Sequence, residues 1–124
     1  MHKIPPVLVE SAVVTATTVF PIINIENASK VTFWFKRANH SSGTSTFTVE
    51  GSIDGANYVS LNKLITNVAN TNAQTPVRAA SVALAADGTA IASLDLEYDT
   101  FQDIRVTVTE GTDGSHSYKA LVEY

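Results

Sequence analysis

His2, His40 and His116 are the side chains of this 124-residue sequence best suited to proton transfer near neutral pH. His40 lies in Asn39-His40-Ser41-Ser42-Gly43 and His116 in Ser115-His116-Ser117, so each has serines beside it. A serine nucleophile needs more than a histidine nearby. It needs a constrained turn, an oriented base and an oxyanion hole, and the Gly-x-Ser-x-Gly signature is absent. In a serine-rich chain these residues read as hydrophilic loop positions, with His2 in an N-terminal arm, and no enzymatic activity is expected. Asp95, Glu97, Asp99 and Asp103 are the other candidates. Asp95 and Glu97 are two apart and would project from one face of a strand, with Asp99 just past its end. Calcium takes six to eight oxygens, usually from a loop folded around the ion. A straight strand offers two or three, and no Asp-x-Asp-x-Asp-Gly loop is present. The expectation is a solvated acidic face, with partner contact second and a metal third; no cofactor is implied.

Lys36 and Arg37 beside Trp34 form the one basic-plus-aromatic cluster, the kind of surface that stacks and neutralises single-stranded nucleic acid. With only eight Lys and Arg in a chain of net charge −4, a phosphate-tracking groove is not expected. The bland alternative places Trp34 at a sheet edge or interface and the two basic residues at the exposed end of a strand. The acidic balance also disfavours adhesion to anionic membranes, and no apolar run approaches the ~20 residues of a membrane helix. The absence of Cys removes disulfides, thiol chemistry and cysteine-based zinc sites. Pro5 and Pro6 interrupt any secretion-type apolar run near Met1, so synthesis without standard export is expected. Asn27-Ala28-Ser29 and Asn39-His40-Ser41 match the glycosylation pattern but mean little without export.

The elements that must position these residues are strands. Val31, Phe33 and Phe35 alternate with Thr32, Trp34 and Lys36; Phe47, Val49, Gly51 and Ile53 with Thr48, Glu50 and Ser52. Leu94, Leu96 and Tyr98 alternate with Ser93, Asp95 and Glu97; Ile104, Val106 and Val108 with Arg105, Thr107 and Thr109; Tyr118, Ala120, Val122 and Tyr124 with polar neighbours and Leu121. Period-two patterning in Val, Ile, Thr and aromatics marks half-buried strands. Further strands are expected near 12–16, 19–25, 57–65 and 77–84, with a bend at 15–18. Asp54-Gly55, Asp87-Gly88 and Asp113-Gly114 are turn signals between them. The last of these reads as the turn of a terminal hairpin, roughly 103–110 with 116–124. The alanines of 78–92 favour helix by propensity, but Val82, Leu84 and Asp87-Gly88 favour strand. Loops 39–45 and 66–76 are long enough to cross between sheets. The fold class is therefore all-β: an antiparallel, jelly-roll-like β-sandwich of about eight or nine strands.

Two features invite a binding role. If Phe33 and Phe35 face the core, Trp34 faces outward, and a large exposed aromatic is unusual unless it meets something. A sheet covered on both faces is the alternative. Ile4, Pro5, Pro6 and Val7 begin an apolar, stiff stretch in which the prolines favour extended backbone. Residues 1–10 are assigned to an extended N-terminal arm suited to lie on a neighbouring subunit, or simply to a frayed edge strand, and 11–124 to one sandwich domain. Ile4, Pro5, Pro6, Val7 and Trp34 are the candidate contact residues.

The run Thr46-Phe47-Thr48-Val49-Glu50-Gly51-Ser52-Ile53-Asp54-Gly55-Ala56-Asn57-Tyr58-Val59 resembles the Ser-x-Asp-Gly hairpin of galactose-binding-like, discoidin-type jelly rolls, and Phe101-Gln102-Asp103-Ile104-Arg105-Val106 resembles their aromatic-x-x-Ile-Arg-Val strand. The same pattern is similar to that of small, cysteine-free virion proteins of tailed bacteriophages, including capsid decoration (cement) proteins. That resemblance implies a non-enzymatic structural protein, made in the host cytoplasm and located on the capsid surface of the virion. Its expected partners are the major capsid protein and further copies of itself, a trimer being favoured; no nucleic acid and no membrane are implied. The other branch implies a carbohydrate-binding module or host-recognition fibre domain, with Trp34, Tyr58 or Tyr118 stacking on a sugar. A third possibility, a small hydrolase, requires His40 or His116 within reach of both a carboxylate and a nucleophile.

Overall fold

The computed structural model describes residues 4–61, 64–66, 78–94, 96 and 101–124. Among them twelve strands, numbered in chain order, form two antiparallel sheets that pack as a sandwich. The front sheet runs β1 (Val7–Glu10), β12 (Ser115–Glu123), β4 (Lys30–Ala38), β10 (Gly88–Leu94), β7 (Leu64–Ile65) and β8 (Arg78–Ala79). The back sheet runs β2 (Thr18–Val19), β11 (Asp103–Thr109), β5 (Ser45–Ser52) and β6 (Val59–Ser60), with β3 (Ile23–Asn24) also on β11 and β9 (Ser81–Leu84) also on β5.

The period-two pattern places the core. Val31, Phe33 and Phe35 of β4, Tyr118, Ala120 and Val122 of β12, and Ala92 and Leu94 of β10 face inward, against Phe47 and Val49 of β5 and Ile104, Val106 and Val108 of β11; all are buried. Aromatic rings bridge the two sheets. Phe35 stacks on Phe47 at 4.8 Å between centroids, and Phe20 meets Tyr118 edge-on at 5.1 Å. The alanine-rich segment is strand, as β8, β9 and β10. Its register explains why propensity lost: Ala90 and Ala92 lie opposite Phe35 and Phe33, where a small inward side chain leaves room for the rings.

Several expectations are corrected. The strand count exceeds eight or nine because 19–25, 57–65 and 77–84 each break into two short strands. Of 12–16, only Val14 pairs, in an isolated bridge to His116, and the chain bends at 15–16 as expected. The terminal pair is no hairpin: β11 belongs to the back sheet and β12 to the front, so 110–114 arches between layers. The 39–44 loop also crosses, from β4 to β5. These two crossings close on each other, and a Cβ at Gly111 would sit 2.1 Å from the Thr44 carbonyl oxygen, so only glycine fits there. The expected crossing at 66–76 lies almost wholly outside the described residues (67–77), and the strands on either side of it, β7 and β8, pair with each other inside the front sheet. Ile53, expected to continue the inward face of β5, is 76% exposed. The strand ends at Ser52, whose Oγ accepts from the Asp54 and Gly55 N–H groups, and Gly55 turns the chain at φ 75°. Finally, Val7–Glu10 of the expected arm pair with β12, leaving 4–6 as the described part of the extension.

Candidate interaction surfaces

The histidine and carboxylate candidates are dispersed. His116 is fully buried, and its Nε2 lies 2.7 Å from Ser45 Oγ, which is buried as well. Among the described residues its Nδ1 has no partner, so there this serine–histidine pair has no orienting carboxylate, and it is closed to solvent. His40 Nδ1 lies 2.7 Å from Asp87 Oδ1, at the surface. Each histidine therefore has one of the two neighbours a triad requires, and neither has both. Asp103 is buried at the start of β11, whereas His2, Asp95, Glu97 and Asp99 lie outside the described residues. Among the described residues no three His, Asp or Glu side chains gather as a metal site.

Arg37 departs most from expectation. It does not cap an exposed strand end but is fully buried. Its Nη1 donates to the carbonyls of Gly43 (2.7 Å) and Leu84 (2.9 Å), its Nη2 to those of Ser42 (2.9 Å) and Asp113 (2.7 Å). The Asp113 carboxylate stands 3.9 Å away. A buried cation needs acceptors for its donors; here Nη1 and Nη2 find theirs and tie β4, the 42–43 loop, β9 and Asp113 together at one end of the sandwich, while Nε has no partner among the described residues. The signal was present: Arg37 continues the inward parity of Val31, Phe33 and Phe35. Around it the Ser41 hydroxyl and N–H donate to Asp113, and the His40 N–H donates to Asp87. These hydrogen bonds, from Ser41 first for Asp113 and from the His40 backbone first for Asp87, hold both carboxyls below the usual aspartate range. At the opposite end Asp54 is also held low, chiefly by the N–H groups of Asn57 and Ala56.

The outward faces differ in kind. On the back sheet, Glu50 and Arg105 pair across β5 and β11 at 3.2 Å, and the guanidinium lies 4.3 Å from the centre of the Tyr58 ring. Thr48 faces Thr107 and Thr46 faces Thr109 in the same ladder. On the front sheet Trp34 is 52% exposed, with Ile91 beside it on β10 and Lys119 on β12. One row along the strands, Leu8 and Leu121 are neighbours. Leu8, Thr32, Trp34, Lys119 and Leu121 line a cleft of about 350 Å³. On the other side of the indole, Lys36, Thr89 and Ser117 border a smaller one of about 210 Å³. Ile4, Pro5 and Pro6 are exposed beside Ser29, Glu123 and Tyr124. Of the three aromatics proposed as sugar platforms, Tyr118 is buried in the core and Tyr58 is capped by Arg105, which leaves Trp34.

Neither a protein-family model nor a curated protein sequence matches the chain. Among solved structures it is similar to the SPBc2 prophage-derived protein YomS, with a TM-score of 0.64 and 10% identity over 100% of this chain and 99% of that one. At that identity the likeness shows a common fold. A chain of the Bacillus endospore appendages, described as disulfide-linked pili, aligns over 99% of this chain and 94% of its own with a TM-score of 0.39 and 12% identity.

Proposed function

We propose that this chain is a non-enzymatic structural protein of a phage particle, a decoration protein that binds the outer capsid and stabilises it. The observation that carries this reading is the front face, where Trp34, Leu8 and Leu121 stand exposed around a cleft on a rigid sheet. A central aromatic with an apolar surround and a polar rim of Thr32 and Lys119 has the anatomy of an interface hot spot. The fold shared with a prophage-derived protein agrees with a phage origin. Stabilisation follows from mass action: a protein that binds only the assembled shell lowers the free energy of that state alone. The major capsid protein is then the partner and the virion surface the location. Sedimentation tests this directly. Purified chain is expected to pellet with mature particles of the phage that encodes it, and not with dispersed capsid subunits; equal binding to both overturns the reading.

Carbohydrate binding is the second reading, favoured by one observation: the smaller cleft beside Trp34 carries Lys36, Thr89 and Ser117, polar groups placed around an aromatic face. It predicts Trp34 fluorescence changes that saturate with a glycan and no preference for intact particles.

A further inference from the structure

β1 (Val7–Glu10) is the end strand of the front sheet, and among the described residues no strand lies beyond it. An antiparallel ladder alternates bonded and non-bonded pairs. The Ser11 N–H donates to the Tyr118 carbonyl at 2.9 Å, in register with Val9 opposite Ala120 and Val7 opposite Val122. The odd residues therefore direct their backbone groups toward β12. Leu8 and Glu10 direct theirs away from the sheet. Natural edges are guarded by lysines, prolines, bulges or inward charges. β1 is short, four residues, but within Val7–Glu10 there is no lysine or proline, and Leu8 is 56% exposed and Val7 46% exposed, on opposite faces. Its one charge, Glu10, is already matched by Lys119 Nζ at 3.4 Å, and the prolines stop at Pro6.

We propose that β1 is a self-pairing edge, through which two copies join antiparallel about a two-fold axis at Leu8 and continue one sheet across both. The register follows from the chemistry of the strand. Leu8 bonds to the partner's Leu8 through both N–H and C=O. The Glu10 N–H donates to the carbonyl of the partner's Pro6, which has no N–H to leave stranded. On the side chains, Leu8 meets its equivalent on the outer face and Val7 meets the partner's Val9 on the inner face. A shift of one residue brings the inward-bonded groups to the edge and breaks the ladder. A shift of two to one side sets Glu10 against the partner's Leu8, and to the other sets Leu8 against the partner's Pro6. The register centred on Leu8 is the one that pairs leucine with leucine while keeping valine on valine, the self-matching that a two-fold interface requires. The outcome is a dimer in place of the trimer expected from the sequence. It also sets two Trp34 faces side by side on one continuous sheet. The pairing shares Leu8 with the cleft proposed for the capsid, and its test uses no particles, so it reads self-association alone.

Light scattering across a dilution series is expected to give twice 13.2 kDa at high concentration, falling toward 13.2 kDa on dilution. Leu8→Lys and Leu8→Glu each set like charges opposite one another at the axis, and each should self-associate roughly tenfold or more weakly. Both substitutions lie at an exposed position, so they leave the fold intact, and an equimolar mixture should recover the dimer. Because the chain has no Cys, Leu8→Cys adds a unique thiol. The two Cα atoms of a bonded pair lie about 5.5 Å apart, within disulfide reach, so oxidation should cross-link Leu8→Cys and not the equally exposed control Val13→Cys. A wild-type mass of 13.2 kDa at every concentration, a dimer unchanged by Leu8→Lys, or a trimer that Leu8→Cys fails to cross-link each overturns the proposal.

Discussion

The two outward faces of this sandwich are made by the same period-two rule and yet are chemically opposite. On the back, the outward residues of β5 and β11 pair polar with polar across the ladder, Glu50 with Arg105, Thr48 with Thr107 and Thr46 with Thr109, and Val19 beside Thr107 is the exposed apolar residue of β2. On the front, Leu8, Leu121, Trp34 and Ile91 succeed one another along and across the strands with Lys119 among them. Folding constrains the inner positions of β4, β5, β11 and β12 tightly, because they are buried against the other sheet. It constrains the outer positions weakly, so polar residues there need no special account. A tryptophan half in water is different. It gains nothing from the fold that a threonine would not also gain, and its apolar area remains a standing incentive for association. The polar pairs of β5 and β11 are met within the chain, whereas the front face keeps Trp34, Leu8 and Leu121 exposed together.

The change with the largest expected effect breaks the frame that holds the two faces together. Arg37→Ala removes the donors from the four carbonyls it serves in the two crossing loops and β9 and empties a fully buried position. A loss of about 3–5 kcal/mol is expected from chemical denaturation, as for other broken buried charge networks. Next comes Trp34→Ala. Because the indole leans on the outside of the sheet, folding stability should move by less than about 0.5 kcal/mol. Particle binding should fall about 30-fold or more, the scale of a hot-spot truncation. If binding survives Trp34→Ala unchanged, the contrast between the faces has no functional meaning. The matching change on the back face is Arg105→Ala. It removes a half-buried ion pair and the ring contact with Tyr58, each worth about 1 kcal/mol, and should leave particle binding untouched.

How much of this was legible follows from what alternation can encode. Parity told inside from outside for β4, β5, β11 and β12, including the outward Trp34. It also placed Arg37 on the core face, but an arginine there contradicts composition, and only the carbonyls of Ser42, Gly43, Leu84 and Asp113 explain it. Those acceptors come from segments up to 76 residues away, a convergence that no local pattern reports. The same limit explains the terminal pair. Two strands joined by Asp113-Gly114 look alike in sequence whether they pair in one sheet or arch between two. What decides is the closure of 110–114 onto Thr44 and Asp113 onto Ser41, which again is long-range. Tyr118 shares the inward parity of Ala120 and Val122 and is buried against Phe20, whereas Tyr58, just past the Asp54-Gly55 turn, has no such parity to read and is capped by Arg105.

The smallest expected effect lies at the loop end that both faces share. Asp113 and Asp87 are exposed carboxyls held below their ordinary 3.8, by hydrogen bonds from Ser41 and from His40 respectively. A group with a depressed folded pKa favours the folded state fully above its unfolded value. That contribution fades as pH falls through the folded one. Acid should therefore loosen the braces of 39–44 and 110–114 below about pH 4 and leave them unchanged between pH 5 and 8 as far as these carboxyls act. Hydrogen exchange localises the effect: the Ser41 and His40 amides should lose protection at pH 3, after correction for the intrinsic rate, while those of Phe33 and Val106 in the two sheets keep theirs. Asp113→Asn supplies the control, since it already lacks the charge and should show a smaller change on acidification. Equal loss of protection in the loops and in both sheets at pH 3 would instead mean that acid acts on the whole sandwich. The loop end would then be no weaker a joint than the core between the faces.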